Sequence, residues 1–153
     1  MKNYEILSEA CKIRWIEDFQ LNGEKYTQVS AYVFNENNQL LIVKNGSTWT
    51  IPGGHPEKGE TKLETLEREM MEEACITLKE INYLGAVEVV ENGEVYYQLR
   101  YTAFVKDILP FKKEWEIDER KFINIDELPK YIKWSKGITF ASQIESAKKF
   151  WKI

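Results

Sequence analysis

Gly53-Gly54-His55-Pro56-Glu57-Lys58-Gly59-Glu60-Thr61-Lys62-Leu63-Glu64-Thr65-Leu66-Glu67-Arg68-Glu69-Met70-Met71-Glu72-Glu73-Ala74-Cys75-Ile76 is the stretch that decides how this chain is read. A loop rich in Gly and Pro over 45–59 runs into a segment that reads as a helix over Thr61–Ala74, with Thr61 as cap and Glu64 at the capping-box position. With 3.6 residues per turn, Leu63, Leu66, Met70 and Ala74 share one stripe that must face a core. Glu69, Glu72 and Glu73, at i, i+3 and i+4, gather on another side. Three neighbouring carboxylates repel, and a divalent cation removes the conflict; hard oxygen ligands suit Mg2+ or Mn2+ better than Zn2+. Arg68 lies one turn before Glu72 and is placed to hold it or Glu60. The paired glycines allow a sharp turn and offer carbonyl oxygens to a metal. An acidic helix by itself is usually a solvated surface; the attached glycine loop favours a cation site.

The charge distribution supports the same reading. The chain has 21 basic and 25 acidic side chains. Between Glu60 and Glu73 stand six acids (Glu60, Glu64, Glu67, Glu69, Glu72, Glu73) and two bases (Lys62, Arg68), and the remainder balances. There is no basic surface of the kind that binds nucleic acid, so no DNA partner is expected. The 153 residues, 43% hydrophobic and 30% charged, predict one domain over 1–153 and exclude a disordered chain, a collagen-like fibre or a coiled-coil rod. No window approaches ~18 consecutive apolar residues, and the start of the chain lacks the apolar core of a signal peptide. Cys11 and Cys75 cannot form a disulfide framework. A cytoplasmic location without membrane contact is expected.

Working outward, residues 3–25 are open between a helical stripe (Ile6, Leu7, Ala10, Ile13) and an extended segment over Cys11–Leu21, so 1–25 is an N-terminal extension of uncertain structure. Gln28–Phe34 and Gln39–Lys44 read as a hairpin around Asn35–Asn38. Leu84–Glu91 and Glu94–Lys106 read as strands around Asn92-Gly93, a strong hairpin signal. Residues 107–120 read as a charged loop, Phe122–Ile125 as a short strand, Asp126–Pro129 as a helical turn and Ile138–Phe150 as an amphipathic helix. Strands on both sides of a central helix, with a late second helix, predict a mixed sheet covered on both faces.

The quoted stretch resembles the box of the Nudix hydrolases: Gly54, five residues, Glu60, seven residues, Arg68-Glu69, Met70-Met71, Glu72-Glu73, Ala74, Cys75, Ile76. Each fixed position agrees except Cys75, where the family has Gly. The flanks Trp49-Thr50-Ile51-Pro52-Gly53 and Phe122 with Asp126–Pro129 also look like the family. The resemblance implies an α/β (α+β) fold, a Nudix-like α/β/α sandwich with a mixed β-sheet. It further implies Mg2+- or Mn2+-dependent hydrolysis of a pyrophosphate bond in a nucleoside diphosphate linked to another moiety. Glu69, Glu72 and Glu73 would bind metal, with the Gly53 carbonyl as a further ligand, while Glu60, Gly54 and Arg68 would brace loop and helix. The family glycine ends the helix in a left-handed conformation; Cys75 there would cost about 1 kcal/mol if the conformation is kept. Dimerisation is common in the family, and no residue here decides it.

The base that activates water stays open between Glu73 or Glu69 in the box and Glu116 in the loop before the last strand, with Glu119 as its rival. Substrate choice stays open too. A nucleoside triphosphate, oxidised or not, suits a small domain; the segment Glu91–Glu94 lacks the proline of the ADP-ribose type. ADP-sugars, dinucleoside polyphosphates and capped RNA are the alternatives within hydrolysis. Outside it stand a non-catalytic nucleotide-binding regulator, disfavoured because every box acid is present, and an isoprenoid diphosphate isomerase, disfavoured because His55 is the only histidine. Tyr97 and Tyr101 share a strand face opposite Tyr96; Trp49, Trp134 and the stripe Phe140, Ile144, Ala147, Trp151 are expected to pack.

Overall fold

The computed structural model describes residues 4–113 and 117–153. In chain order the strands are β1 (Glu5–Ser8), β2 (Cys11–Glu17), β3 (Tyr26–Phe34), β4 (Leu40–Asn45), β5 (Thr48–Thr50), β6 (Gly53–Gly54), β7 (Ile76–Glu91), β8 (Glu94–Ile108) and β9 (Ile117–Ile123). The helices are α1 (Lys62–Ala74), the single turn α2 (Leu128–Tyr131) and α3 (Ile138–Trp151). The sheet runs β1-β2-β7-β8-β3-β4-β5, with β6 on β3 and β9 on β4. Among the described residues only β3 and β8 pair in parallel; the other pairs are antiparallel, so the sheet is mixed as expected.

Alternation along the strands divides the interior in two. Val29, Ala31 and Val33 of β3 and Leu41 and Val43 of β4 face α1, against Leu66, Met70 and Ala74. Tyr32, Phe34, Leu40 and Ile42 point the other way and meet Phe140, Ile144 and Ala147 of α3. Strands buried on both faces must be apolar at nearly every position, which explains the unbroken run Leu40–Val43.

Several expectations change at the element level. Residues 5–17 form a hairpin, and β2 extends the sheet along β7. Glu88 anchors that hairpin: it accepts hydrogen bonds from Arg14 Nε (2.8 Å) and from the hydroxyls of Tyr4 (2.5 Å) and Tyr97 (3.0 Å). Burial pushes the Glu88 carboxyl upward, but these donors outweigh it and hold it below the usual carboxylate range. Strand β7 starts at Ile76, well before Leu84, because irregular pairing near Lys79–Asn82 and Tyr83–Gly85 breaks the alternation. Strand β9 starts at Ile117 inside the expected loop; as an edge strand it turns Asp118, Glu119 and Lys121 to solvent. The β3–β4 hairpin pairs only at its neck, Phe34 with Leu40. Beyond it β6 takes the edge of β3, pairing Gly54 with Val29 and Gly53 with Ser30. The turn at Asn92-Gly93 has φ of 51° and 80°, the conformation that a tight hairpin needs.

Candidate active site

Helix α1 follows β6 after the loop 55–61. The Thr61 hydroxyl accepts from the Glu64 N–H (3.1 Å) and the Glu64 carboxylate accepts from the Thr61 N–H (2.8 Å), the expected capping box, worth about 1 kcal/mol. The buried stripe is rotated from the expected one. Leu63 is exposed, while Thr65 is fully buried and donates to Glu60 Oε1 at 2.9 Å. A threonine hides in the core here because its hydroxyl has that partner.

Arg68 organises the site. Its Nε and Nη2 grip Glu60 bidentately (2.6 and 3.1 Å). Nη1 donates to Glu69 Oε1 (2.8 Å) and Glu72 Oε2 (3.0 Å), and Nη2 also reaches the His55 carbonyl (2.9 Å). The fork therefore ties the loop before the helix to two acids on it. Its hydrogen bond to Glu60 is the largest cause of a guanidinium held more firmly protonated than usual. In return Glu60, bonded to Arg68 and to the Glu57 N–H, is held down to about 2.

The remaining acids sit against β6. Glu73 Oε1 accepts from the Gly53 N–H at 2.8 Å. Glu69 lies over Gly54, and burial raises its carboxyl above the usual range despite Arg68. Among the described residues, no three His, Cys, Asp or Glu side chains stand in cation-binding geometry. Instead Glu69 and Glu72 converge on a single positive atom, Arg68 Nη1. Their oxygen-only chemistry fits a hard divalent cation, and the guanidinium shows that the pair already gathers around positive charge.

Cys75 closes α1 in the left-handed conformation (φ 54°, ψ 47°), and its N–H bonds the carbonyls of Met70 and Met71. The strained cap is thus kept rather than avoided. Its buried Sγ accepts from the Lys112 N–H at 3.4 Å, and Arg120 of β9 donates to the Ala74 carbonyl at 2.6 Å, placing a cation at the negative end of the helix. Arg120 carries no signal in the sequence, because its partner is a backbone oxygen of a distant element.

Glu116 lies outside the described residues. Glu119 is exposed on β9, opposite Lys44. His55 is exposed, with Nδ1 2.6 Å from the Thr27 carbonyl oxygen. Glu57 is a solvent-facing partner of Arg68 at 3.3 Å. Trp49 packs edge-on to Tyr131, and Tyr97 and Tyr101 are buried on the α1 face.

One group of residues escapes the sequence reading. Gln28 and Ser30 of β3 and Gln98 and Arg100 of β8 line a cavity of about 370 Å³ on the α3 face, beside β6. Its walls also include Trp134, Phe140 and Gln143. The available signal was two strands, Gln28-x-Ser30-x-Tyr32 and Gln98-x-Arg100-x-Thr102, with polar side chains at inward-facing positions.

The family model of the NUDIX domain matches residues 25–142. With this sheet and this acidic helix behind a Gly-Gly strand, the chain belongs to the Nudix family. The isopentenyl-diphosphate Δ-isomerase of Pectobacterium atrosepticum is 25% identical over 123 residues, covering 73% of this chain and 69% of that one. The 8-oxo-dGDP phosphatase NUDT18 of Mus musculus is 32% identical over 65 residues, covering 39% of this chain and 20% of its own length. Among solved structures, a mutant of the Bacillus subtilis pyrophosphohydrolase BsRppH superposes with a TM-score of 0.77 at 18% identity, covering 91% of both chains, a likeness of fold.

Proposed function

We propose that this protein is a Mg2+- or Mn2+-dependent hydrolase of a pyrophosphate bond in a nucleoside diphosphate linked to another moiety. The convergence of Glu60, Glu69 and Glu72 on Arg68, with Glu73 against the Gly53 N–H, carries this reading. Glu69, Glu72 and Glu73, with the Gly53 carbonyl, would hold the cation, which neutralises phosphate charge and acidifies water when bound. Arg68 and Glu60 fix the helix against the loop, so the carboxylates are ordered before substrate arrives. Glu69 has the burial that lifts a carboxyl toward the range of a general base, and Glu73 is its neighbour one turn on. Glu116 stays a candidate for the same role. Gly54 leaves the space that the Glu69 carboxylate fills.

A hydrolysis panel tests the reading: nucleoside triphosphates, oxidised nucleotides, ADP-sugars, dinucleoside polyphosphates and capped RNA, with Mg2+ or Mn2+. Isopentenyl diphosphate belongs on it because of the isomerase relative. Metal-dependent hydrolysis that stops with EDTA and falls at least a hundredfold in Glu73→Gln is the expected result. A folded protein that binds nucleotide and Mg2+ but cleaves nothing would turn the reading to a non-catalytic binder.

A further inference from the structure

Helix α3 begins without a cap of its own. Its N-cap residue is Gly137, no side chain of its first turn is acidic, and Lys136 stands immediately before it. The first N–H groups of a helix have no partner within it and favour negative charge. Here the anion comes from the other end of the chain. Glu5 of β1 is half-buried, and its Oε1 accepts from the Thr139 N–H at 2.8 Å, across 134 positions. Its carboxylate also fills the space that a side chain at Gly137 would need. Gly137 has φ −68° and ψ 149°, a conformation open to any residue, so its backbone does not call for glycine. The room left for Glu5 does.

The hairpin β1–β2 holds the same face of α3 a second time. Trp15 Nε1 donates to Ser146 Oγ (3.2 Å), which donates to Glu17 Oε1 (3.0 Å). Thr139 and Ser146 are seven residues apart, about two turns, so both look toward the hairpin. On its opposite face the hairpin is fixed to β7, where Arg14 and Tyr4 donate to Glu88. Glu5 thus reaches α3 from a braced strand. Beyond Thr139 the contact runs into the sheet. Gln143, one turn on, donates through Nε2 to the Thr139 carbonyl (3.2 Å). Its Oε1 accepts from the Tyr32 hydroxyl (2.6 Å) and from Arg100 Nε (3.0 Å). Glu5, Arg100, Thr139, Phe140 and Gln143 all line the cavity beside β6. A first turn of α3 that shifts at Thr139 carries Phe140 and Gln143 with it and moves that wall against the sheet.

Resting on the hydrolase reading above, we infer that the hairpin β1–β2 is a clamp on α3 and that Glu5 is its positioning residue. By capping α3 at Thr139, Glu5 fixes the helix wall of the cavity and so sets how tightly substrate is held. The acids of α1 are left as they are, because α1 and α3 pack on opposite faces of the sheet. Residues 5–17 precede the family domain, which starts at residue 25, so the family's box does not carry this role.

The test compares the full-length protein with Glu5→Ala, Glu5→Gln, Gly137→Ala and the double variant Glu5→Ala/Gly137→Ala. Amide exchange is followed in each, together with steady-state kinetics on the substrate that the hydrolysis panel yields. Exchange at residues 139–143 should quicken at least about tenfold in Glu5→Ala while α1 is unchanged. KM should rise at least about fivefold with kcat within about twofold, the mark of lost binding and intact chemistry. Gly137→Ala should reproduce both effects with Glu5 present, and the double variant should be no worse than either single one, because the two residues act through one contact. Glu5→Gln keeps an acceptor oxygen without the charge and should fall between wild type and Glu5→Ala. Circular dichroism checks folding; if Glu5→Ala does not fold, Glu5→Gln and Gly137→Ala decide. Unchanged exchange at 139–143 in a folded variant overturns the clamp. Faster exchange with KM unmoved, a fall in kcat alone, or additive effects in the double variant overturn the positioning role. A silent panel would sink the hydrolase reading, and the exchange comparison, which needs no substrate, would then decide the clamp by itself.

Discussion

The carboxylate of Glu69 occupies the volume that a side chain at Gly54 would need: a Cβ there would lie 2.4 Å from both Cδ and Oε1 of Glu69. Any larger residue at 54 must push away a carboxylate that Arg68 holds from the other side. Gly54→Ala should therefore cut hydrolysis at least tenfold while shifting thermal stability by only about 1 kcal/mol, since the displaced group is a side-chain tip. Parallel activity and melting measurements check it; a fully active Gly54→Ala enzyme would remove the proposed role of Glu69.

Arg68 supplies the positive charge around which Glu60, Glu69 and Glu72 gather. Arg68→Ala leaves three acids in mutual repulsion and should cost about 1–3 kcal/mol of stability. Millimolar Mg2+ should then raise the melting temperature of the variant more than that of the wild type, because the cation replaces the missing charge. An equal response of both proteins to Mg2+ in differential scanning calorimetry would count against a cation site at these acids.

Glu60 titrates near 2 rather than at its ordinary 4.5 because Arg68 and the Glu57 N–H bond its charged form. A carboxyl depressed by folding contributes stability that is complete above the ordinary value and disappears as pH falls through the folded value. The stability gap between wild type and Glu60→Gln should thus be constant from pH 7 to about 5 and close between 4.5 and about 2. Denaturant titrations at each pH measure the gap, and carboxyl NMR gives the midpoint of Glu60 directly.

Cys75 holds a left-handed cap without the freedom of glycine. Cys75→Gly removes the strain but also the buried Sγ; Cys75→Ala loses Sγ and keeps the strain. The alanine variant should be the less stable of the two by about 1 kcal/mol, the reverse of the usual helix ranking. Chemical denaturation of both variants decides it, and alanine equal to glycine would mean that the cap relaxes.

Much of this molecule was legible because its signals are local. The capping box at Thr61 and Glu64, the turn at Asn92-Gly93 and the acids at i, i+3 and i+4 all act within a few residues of themselves. What escaped depends on partners far away in the chain. Strand β2 pairs with β7, from Cys11 with Glu91 to Glu17 with Gly85, far on in the chain, and β9 hides as a charged run because edge strands must repel other chains. Thr65 in place of Leu63 could not be foreseen without Glu60 beside it. Arg100 looks like any strand arginine until α3 brings Gln143 over it.

The parallel pairing of β3 with β8 has a kinetic meaning. Val29 and Leu99 are partners seventy residues apart in the chain, with α1 and all of β7 between them. Loop closure on that scale comes late and slowly, whereas the β7–β8 hairpin can form early from its own turn. Gly53 reaches its place only by pairing with Ser30 on β3. Stopped-flow refolding should therefore show the hairpin's far-ultraviolet signal ahead of any Mg2+-dependent change, so that cation affinity arises with the last step of folding and a partly folded chain is silent toward substrate.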